Sequence, residues 1–342
     1  MITGKDGVLD MSASREQVLR SINVGSTDFV LDIGGGHRPF WKANLVIDKY
    51  PFDDGLHRDQ PMQFTSVPVI KADALTIPVP DRGCDLIFAS HVIEHLTDPS
   101  RFIAEIKRCA RWVYLEFPSR NRELLFAWSF HKWLIERDGT VLKCYHNDVP
   151  QLFGPLFHEE YDAALGAWSD QHHEHLNTSI YCRADELECE FPAETATEML
   201  LRSSPRGDSK INFAEFIHRP HYSPRAVVAI AAQSLLPTRL FSRLCRDRKV
   251  RSSPAALPDA VLARLMCLNC CATSLQRSHD AITCPQCGAT YLQDRGIFDF
   301  CPQNWSSLFA DLEPTALGRR VWTAICASIV MARSILAIAE AA

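Results

Sequence analysis

Five short apolar runs mark the first third of the chain: FVLDI (29–33), LVID (45–48), VIKAD (69–73), CDLIFAS (84–90) and WVYLEFPS (112–119). Each is rich in Val, Ile, Leu or Phe, and each ends in acidic or small residues. Such runs predict strands buried on both faces of a parallel sheet, whose carboxyl ends face the ligand crevice of an open α/β fold. After the fourth run the period becomes helical. Asp98 and Pro99 suit the N-cap and first helical position, and Phe102, Ile103, Ile106 and Ala110 form an apolar stripe that also takes in Cys109. Upstream, Ser14 to Gln17 fits a capping box ahead of Val18, Leu19 and Ile22, a helix expected to cover the edge of the crevice. Only His37 to Leu45 separate the Gly34–Gly36 triplet from the second run, near the lower limit of ~10 to 12 residues for a crossover with a helix. The first crossover helix is therefore expected to be very short or replaced by a loop. Lys49 to Pro68, with Pro, Asp and Gly throughout, reads mostly as loop.

The strand ends carry the candidate chemistry. Asp32 precedes three glycines, Gly34, Gly35 and Gly36, where the backbone has no side chain to keep a ligand away. The Asp32 carboxylate can take a ligand ammonium and free N–H groups a carboxylate. Asp48 ends the second run, as does an acid that binds ribose hydroxyls, and Asp73 ends the third, within reach of a purine amine. Together they suit a ligand with an amino acid end, a ribose and an adenine. A nicotinamide-binding fold is the rival, but GGGHRP lacks the G-x-G-x-x-G spacing.

These residues, with SHVIEHLTDPSRFIAEIKR (90–108), resemble the class I S-adenosylmethionine-dependent methyltransferases, and the phrasing is similar to their broad type 11 subgroup. The resemblance covers roughly the first third of the chain. It implies an α/β, Rossmann-like sheet with helices on both faces and S-adenosylmethionine as cofactor, held by Asp32, Gly34, Gly35, Gly36, Asp48 and Asp73, with Ala74 and Ser90 alongside. The methyl acceptor then lies by the fourth strand end. His91, Glu94 and His95 stand there, with His91 a candidate general base, and a helical turn would put His91 and His95 on one face. Packing and capping is the structural alternative for Glu94 and His95. Their H-x-x-E-H spacing is similar to the E-x-x-E-H metal site of ubiquinone-biosynthesis O-methyltransferases, but imidazole in the first position suits Zn or Fe better than Mg. His131 and Glu116 are further candidates for base. His172-His173-Glu174-His175 has the residue types of a metal site, but an exposed polar loop is the leading reading. Ala89-Ser90-His91 replaces the N/D-P-P-Y/F motif of base and glutamine N-methyltransferases, so hydroxyl or carboxyl methylation leads.

Residues 120–195 read as the second half of the sheet with a substrate-binding insertion, from the candidate strands at 130–136, 140–146 and 179–191. FHKW (130–133) and the glycine turn after it resemble, loosely, bacterial methyltransferases of cell-surface glycan or lipid biosynthesis. That implies a small-molecule, sugar or lipid-linked glycan acceptor. Cys267-x-x-Cys270 and Cys284-x-x-Cys287 form two knuckles able to converge on one structural Zn2+, with Cys270 preferred to Cys271 by spacing. The stretch 265–300 resembles small zinc-ribbon proteins that activate tRNA, rRNA and protein methyltransferases, down to a turn at Asp294-Arg295-Gly296-Ile297. The expected organisation is a methyltransferase domain (1–195), a helical, basic connector (196–258), a zinc ribbon (259–302) and a helical C-terminal segment (303–342). An RNA or translation-factor methyltransferase with a fused activator is the alternative function, and a non-catalytic scaffold the second.

Charge and cysteine content narrow the setting. The net charge of -5 offers no general attraction for nucleic acid. Thirteen cysteines without a signal peptide at MITGKDGVLDMS predict a reducing cytoplasm. Two apolar stretches with basic residues, 226–251 and 321–339, are candidates for peripheral contact with the inner face of a membrane. Arg333 inside the second favours a packed or interfacial helix over a span.

Overall fold

The computed structural model describes residues 18–20, 22–36, 39–52, 62, 64–126, 128, 130–149, 172–202 and 253–301. The capping box at Ser14, the segments 226–251 and 321–339, and the C-terminal helical segment lie outside these residues. No helix among the described residues is long and apolar enough to cross a membrane.

The five runs form five parallel strands: β1 (Val30–Ile33), β2 (Leu45–Asp48), β3 (Val69–Lys71), β4 (Cys84–Ser90) and β5 (Ala110–Pro118). With β8 (Asn177–Arg183), antiparallel to β5, they make a six-stranded sheet in the order β3-β2-β1-β4-β5-β8. This is the doubly wound arrangement, and the order reverses between β1 and β4, where such sheets open a crevice. Strand alternation splits the core. Leu86, Phe88 and Tyr114 face one side with Val18, Leu19 and Ile22, while Ile87, Ala89 and Leu115 face the other with helix α1 (Pro99–Cys109). The first side is filled by an aromatic stack, Phe40 on Phe88 at 4.4 Å and Phe88 on Tyr114 at 4.9 Å. The N-terminal segment thus packs against a sheet face.

Helix α1 starts as its sequence requires. Asp98 accepts a hydrogen bond from Arg101 N–H at 2.9 Å, Pro99 follows, and Phe102, Ile103, Ile106 and Cys109 are buried. Ala110 belongs to the next element, as the first residue of β5. No helix occurs among the described residues between β1 and β2 or between Lys49 and Pro68, as the short spacing and the breakers predict.

The second half of the chain departs from expectation. Of the three candidate strands after residue 120, only the last contributes to the main sheet, through β8. Strands β6 (Trp133–Asp138) and β7 (Val141–His146) form a hairpin across Gly139, and β7 pairs with β9 (Glu188–Glu190) to make a separate three-stranded sheet. The reason is room. β8 pairs with β5 from Trp112 to Pro118, so the hairpin finds no free partner there. It lies instead over the turn after β4, with Lys132 N–H donating to the Glu94 carbonyl at 2.8 Å and Trp133 Nε1 to the Leu96 carbonyl at 2.8 Å.

Residues 276–298 form a four-stranded antiparallel sheet, β10 (Gln276–Arg277), β11 (Ala281–Thr283), β12 (Thr290–Asp294) and β13 (Ile297–Phe298). Arg295 (φ 47°) and Gly296 (φ 90°) make the two-residue turn expected after Asp294. This unit docks beside β3. Phe300 N–H donates to the Lys71 carbonyl at 2.7 Å, Lys71 Nζ pairs with Asp299 at 2.7 Å, and Met266 N–H donates to the Pro78 carbonyl at 3.0 Å. Leu265, Tyr291 and Phe300 share one apolar core with the α1 side of the main sheet.

Candidate active site and cysteine cluster

The turn after β1 and the turn after β4 touch at the point where strand order reverses. Gly34 has φ +69°, and a Cβ there would lie 2.6 Å from Val92 Cγ2. A Cβ on Gly35 would lie 2.5 Å from Asp32 Oδ2 and 3.0 Å from Val46 Cγ1. The first two glycines therefore make room for the protein's own side chains. Gly36 also has positive φ, at 50°.

The acids sit at the strand ends as expected. Asp32 is buried and accepts Phe40 N–H at 2.7 Å. Burial raises its pKa to about 7, against the Phe40 hydrogen bond and with the help of the Asp48 charge. Asp48 is buried and accepts Tyr50 N–H at 2.8 Å. Asp73 accepts Leu75 N–H at 2.9 Å and pairs with Lys49 at 2.8 Å, so a purine amine would share its carboxylate with two neighbours. Ala74 is buried next to it, and Ser90 Oγ donates to Glu116 Oε1 at 2.9 Å.

His91 follows β4 directly and has φ +57°, a left-handed conformation that costs a non-glycine residue ~1–2 kcal/mol. Its Nδ1 lies 3.0 Å from Glu94 Oε1. Its Nε2 lies 3.4 Å from Arg122 Nη1, on helix α2 (Arg120–Phe126), and 3.8 Å from Glu116 Oε1. His95 Nε2 lies 3.9 Å from the same Glu94 oxygen. The turn that follows is a single 3-10 turn, Ile93–His95, so His91 and His95 meet through the Glu94 carboxylate and not along a helical face. Burial pushes Glu94 up, but the His91 hydrogen bond and the neighbouring imidazoles outweigh it and hold the carboxyl at about 2. Burial lowers His95 to about 4, although Glu94 opposes this. His131 arrives from the loop before β6 and lies edge-on to His95 at 4.8 Å between ring centroids. Its Nδ1 is 2.5 Å from Glu123 Oε1. The structure thus brings His91, Glu94, His95 and His131 together.

Glu116 anchors a second network. It is buried and accepts from Ser90 and from Tyr114 Oη at 2.9 Å, while His173 Nε2 lies 3.0 Å from Oε2. His173 Nδ1 in turn lies 3.0 Å from Asn177 Nδ2. This corrects the reading of His172–His175 as an exposed loop. Residues His173–Leu176 form a helical turn, α3, and His173 is buried against β5. Asn177, Arg122 and Glu123 were not singled out in the sequence. The i, i+4 spacing of Asn177 from His173 was the one local signal available for Asn177.

In the ribbon, one sulfur each from Cys267, Cys270, Cys284 and Cys287 lies within 4.8 Å of the others. Cys267 and Cys287 are 3.5 Å apart, as are Cys270 and Cys284. The two knuckles repeat each other. Cys271 N–H donates to the Cys267 carbonyl and Gly288 N–H to the Cys284 carbonyl, both at 2.8 Å. Cys271 (φ 61°) and Gly288 (φ 76°) hold the same left-handed position, and Cys271 is exposed outside the cluster. Tyr291 Oη donates to Cys267 Sγ at 3.2 Å, and hydrogen bonds from Asn269 and Ala289 lower the Cys287 thiol to about 6.

Residues 50–112 match the family described as "Methyltransferase domain". No curated protein matches the chain. Among solved structures, it is similar to an S-adenosylmethionine-dependent methyltransferase from Thermotoga maritima, described as a possible histamine N-methyltransferase, at 18% identity and TM-score 0.25, over 32% of this chain and 56% of that one. An Aquifex aeolicus S-adenosylmethionine-dependent methyltransferase matches at 18% identity and TM-score 0.27, over 49% of this chain and 88% of that one. A chain from the complex of the Haloferax volcanii Trm112 methyltransferase activator with a methyltransferase matches at 13% identity and TM-score 0.31, over 50% and 88%. This chain therefore spans little more than half of the Thermotoga protein. The glycine turn, β1 and β2 precede the matched residues, whereas β3, β4 and the His91–Glu94–His95 turn fall inside them.

Proposed function

We propose that the chain transfers a methyl group from S-adenosylmethionine to an oxygen of a small molecule, sugar or lipid-linked glycan intermediate. The observation that carries the reading is the contact between the Gly34 turn and the turn bearing the His91–Glu94 pair, at the reversal of strand order. Three strand-end acids and a positive-φ glycine turn fit an aminoacyl nucleoside, with Asp32 for the ammonium, Asp48 for the ribose and Asp73 for the adenine. Bound there, the cofactor supplies a methyl group on a sulfonium, open to in-line attack.

The chain's own residues prepare the acceptor. Glu94 receives Nδ1–H of His91, which fixes the tautomer, and Nε2, which accepts from Arg122 Nη1 at 3.4 Å, would exchange that donor for the acceptor's hydroxyl and take its proton. The Glu94 charge then stabilises the imidazolium, and the Arg122 guanidinium, released from Nε2, supplies positive charge beside the oxygen as negative charge develops. Ser90 and Glu116 at the strand end support hydroxyl chemistry, in place of the proline-rich amine grip. In the ribbon we assign a structural Zn2+. Four thiolates about 2.3 Å from one zinc would lie roughly 3.8 Å apart, which the sulfur spacings approach, and four thiolates leave no open position. A four-thiolate site is in keeping with the reducing cytoplasm read from the cysteine content.

Calorimetry with S-adenosylmethionine, S-adenosylhomocysteine and NAD tests the cofactor. Binding of the first two and not of NAD is expected; NAD binding, or none at all, would refute it. With labelled cofactor and a panel of glycan and lipid acceptors, His91→Ala should retain cofactor affinity and lose roughly 10²–10⁴-fold in rate. Undiminished transfer would remove His91 as the base.

A further inference from the structure

We propose that Glu94, His95 and His131 bind a divalent transition-metal ion in the crevice, at a site separate from the cysteine cluster. One donor atom from each lies within 4.8 Å of the others. The hydrogen bonds around the two imidazoles leave the same nitrogen on each. His131 Nδ1 faces Glu123 Oε1 at 2.5 Å, and His95 Nδ1 faces the Phe130 carbonyl at 3.4 Å, so both Nε2 atoms remain as donors. Metal-bound histidines characteristically give their other N–H to a carboxylate or carbonyl, which sets the tautomer and aims the ring.

Glu94 supplies the independent observation. It is fully buried, and its Oε2 has no hydrogen-bond partner, although Oε1 meets His91. An ionised oxygen left unsatisfied inside a protein is costly, and a cation held by the Glu94 carboxylate and two imidazoles would offset that cost. A simple shared carboxylate would account for Oε1 and leave Oε2 unexplained. His91 is not a ligand here, because its Nδ1 is committed to Oε1. The third ligand comes instead from the loop before β6, which the Lys132 and Trp133 hydrogen bonds fix over the turn after β4.

Two imidazoles and one carboxylate suit Zn2+, Fe2+, Co2+ or Ni2+ over Mg2+ or Ca2+. Three protein ligands also leave a coordination position open, unlike the four-thiolate cluster. An acceptor oxygen would fill it, and only this role rests on the methyl-transfer reading.

The test reads metal and needs neither cofactor nor acceptor. Chelated full-length protein is titrated with Co2+ and, separately, Zn2+, with bound metal counted by mass spectrometry and cobalt followed by absorption. The wild type should take two equivalents, of which one shows sulfur-to-cobalt charge transfer and the other does not. His131→Ala and His95→Ala should each lose the second equivalent and keep the charge-transfer band. Glu123→Gln, a milder change, should weaken the second site by roughly 10- to 100-fold. One equivalent in the wild type, or two in all three variants with unchanged affinity, would overturn the site.

Discussion

In the ribbon, Cys267 and Cys270 share one tight backbone loop, Cys284 and Cys287 share another, and one short hairpin brings the loops face to face. In the crevice, Glu94 and His95 leave β4 on a 3-10 turn, while His131 arrives from a loop held by the β6–β7 hairpin and by hydrogen bonds to other elements. The first cluster is local, repeated and closed; the second depends on tertiary packing and is open on one side. A cluster that local backbone can build has a sequence spacing that announces it. One assembled across elements shows itself through unsatisfied atoms and strained backbone, here Glu94 Oε2 and the positive φ of His91.

The largest effect should come from breaking the closed cluster. Cys284 is fully buried, and Cys284→Ser should release the metal and open residues 253–301 first, because site-binding free energies of ~10–16 kcal/mol are folding free energy in small zinc modules. Metal content and hydrogen exchange would read this. Retained metal would contradict the four-thiolate site, and lost metal with unchanged protection would mean that docking against β3 holds the ribbon by itself.

A moderate effect sharpens the open side. Asp32 lies at about 7 in the folded chain against 3.8 as its ordinary value, because of burial. The folded state keeps this proton to a higher pH than the unfolded state, so its stabilising contribution is full below the ordinary value and fades as pH rises through about 7. A ligand ammonium prefers the ionised form. Cofactor affinity should therefore rise across the same window, by up to about tenfold per pH unit, with release of a proton. Calorimetry in buffers of different ionisation enthalpy would show it, and a flat profile would remove Asp32 from the ammonium site.

The smallest effect tests the repeat within the ribbon. Cys271 occupies the left-handed position that Gly288 fills in the other knuckle. Cys271→Gly should leave metal content unchanged and stabilise the ribbon by up to about 1 kcal/mol, measured by thermal melting. A loss of stability would show that the Cys271 side chain makes contacts of its own.

Much of this was legible in the sequence. β1 to β5 are largely buried and so stand out as apolar runs, α1 is announced by Asp98-Pro99, and eight residues between the glycines and β2 were too few for a helix. The placement of β6, β7 and β9 was not legible, because an apolar strand does not state which sheet it joins. Glu123 and His131 are eight residues apart on a helix and a loop, so their pairing exists only once the hairpin is laid down. His173 sits in a polar run that looks like surface, yet Glu116, Asn177 and the end of β5 draw it inward. Candidate chemistry was readable at strand ends, where position follows from the fold, and unreadable where a partner came from another layer.

The bond from Phe300 N–H to the Lys71 carbonyl also bears on what the molecule can do in company. β3 is the last strand on its side of the main sheet, and such a strand offers its outer backbone groups to any extended peptide able to lie alongside. Asp299 and Phe300 occupy that margin with the chain's own backbone. A foreign strand seeking to lengthen the sheet from this side would have to evict the ribbon first, which protects the protein against unwanted self-association through β3.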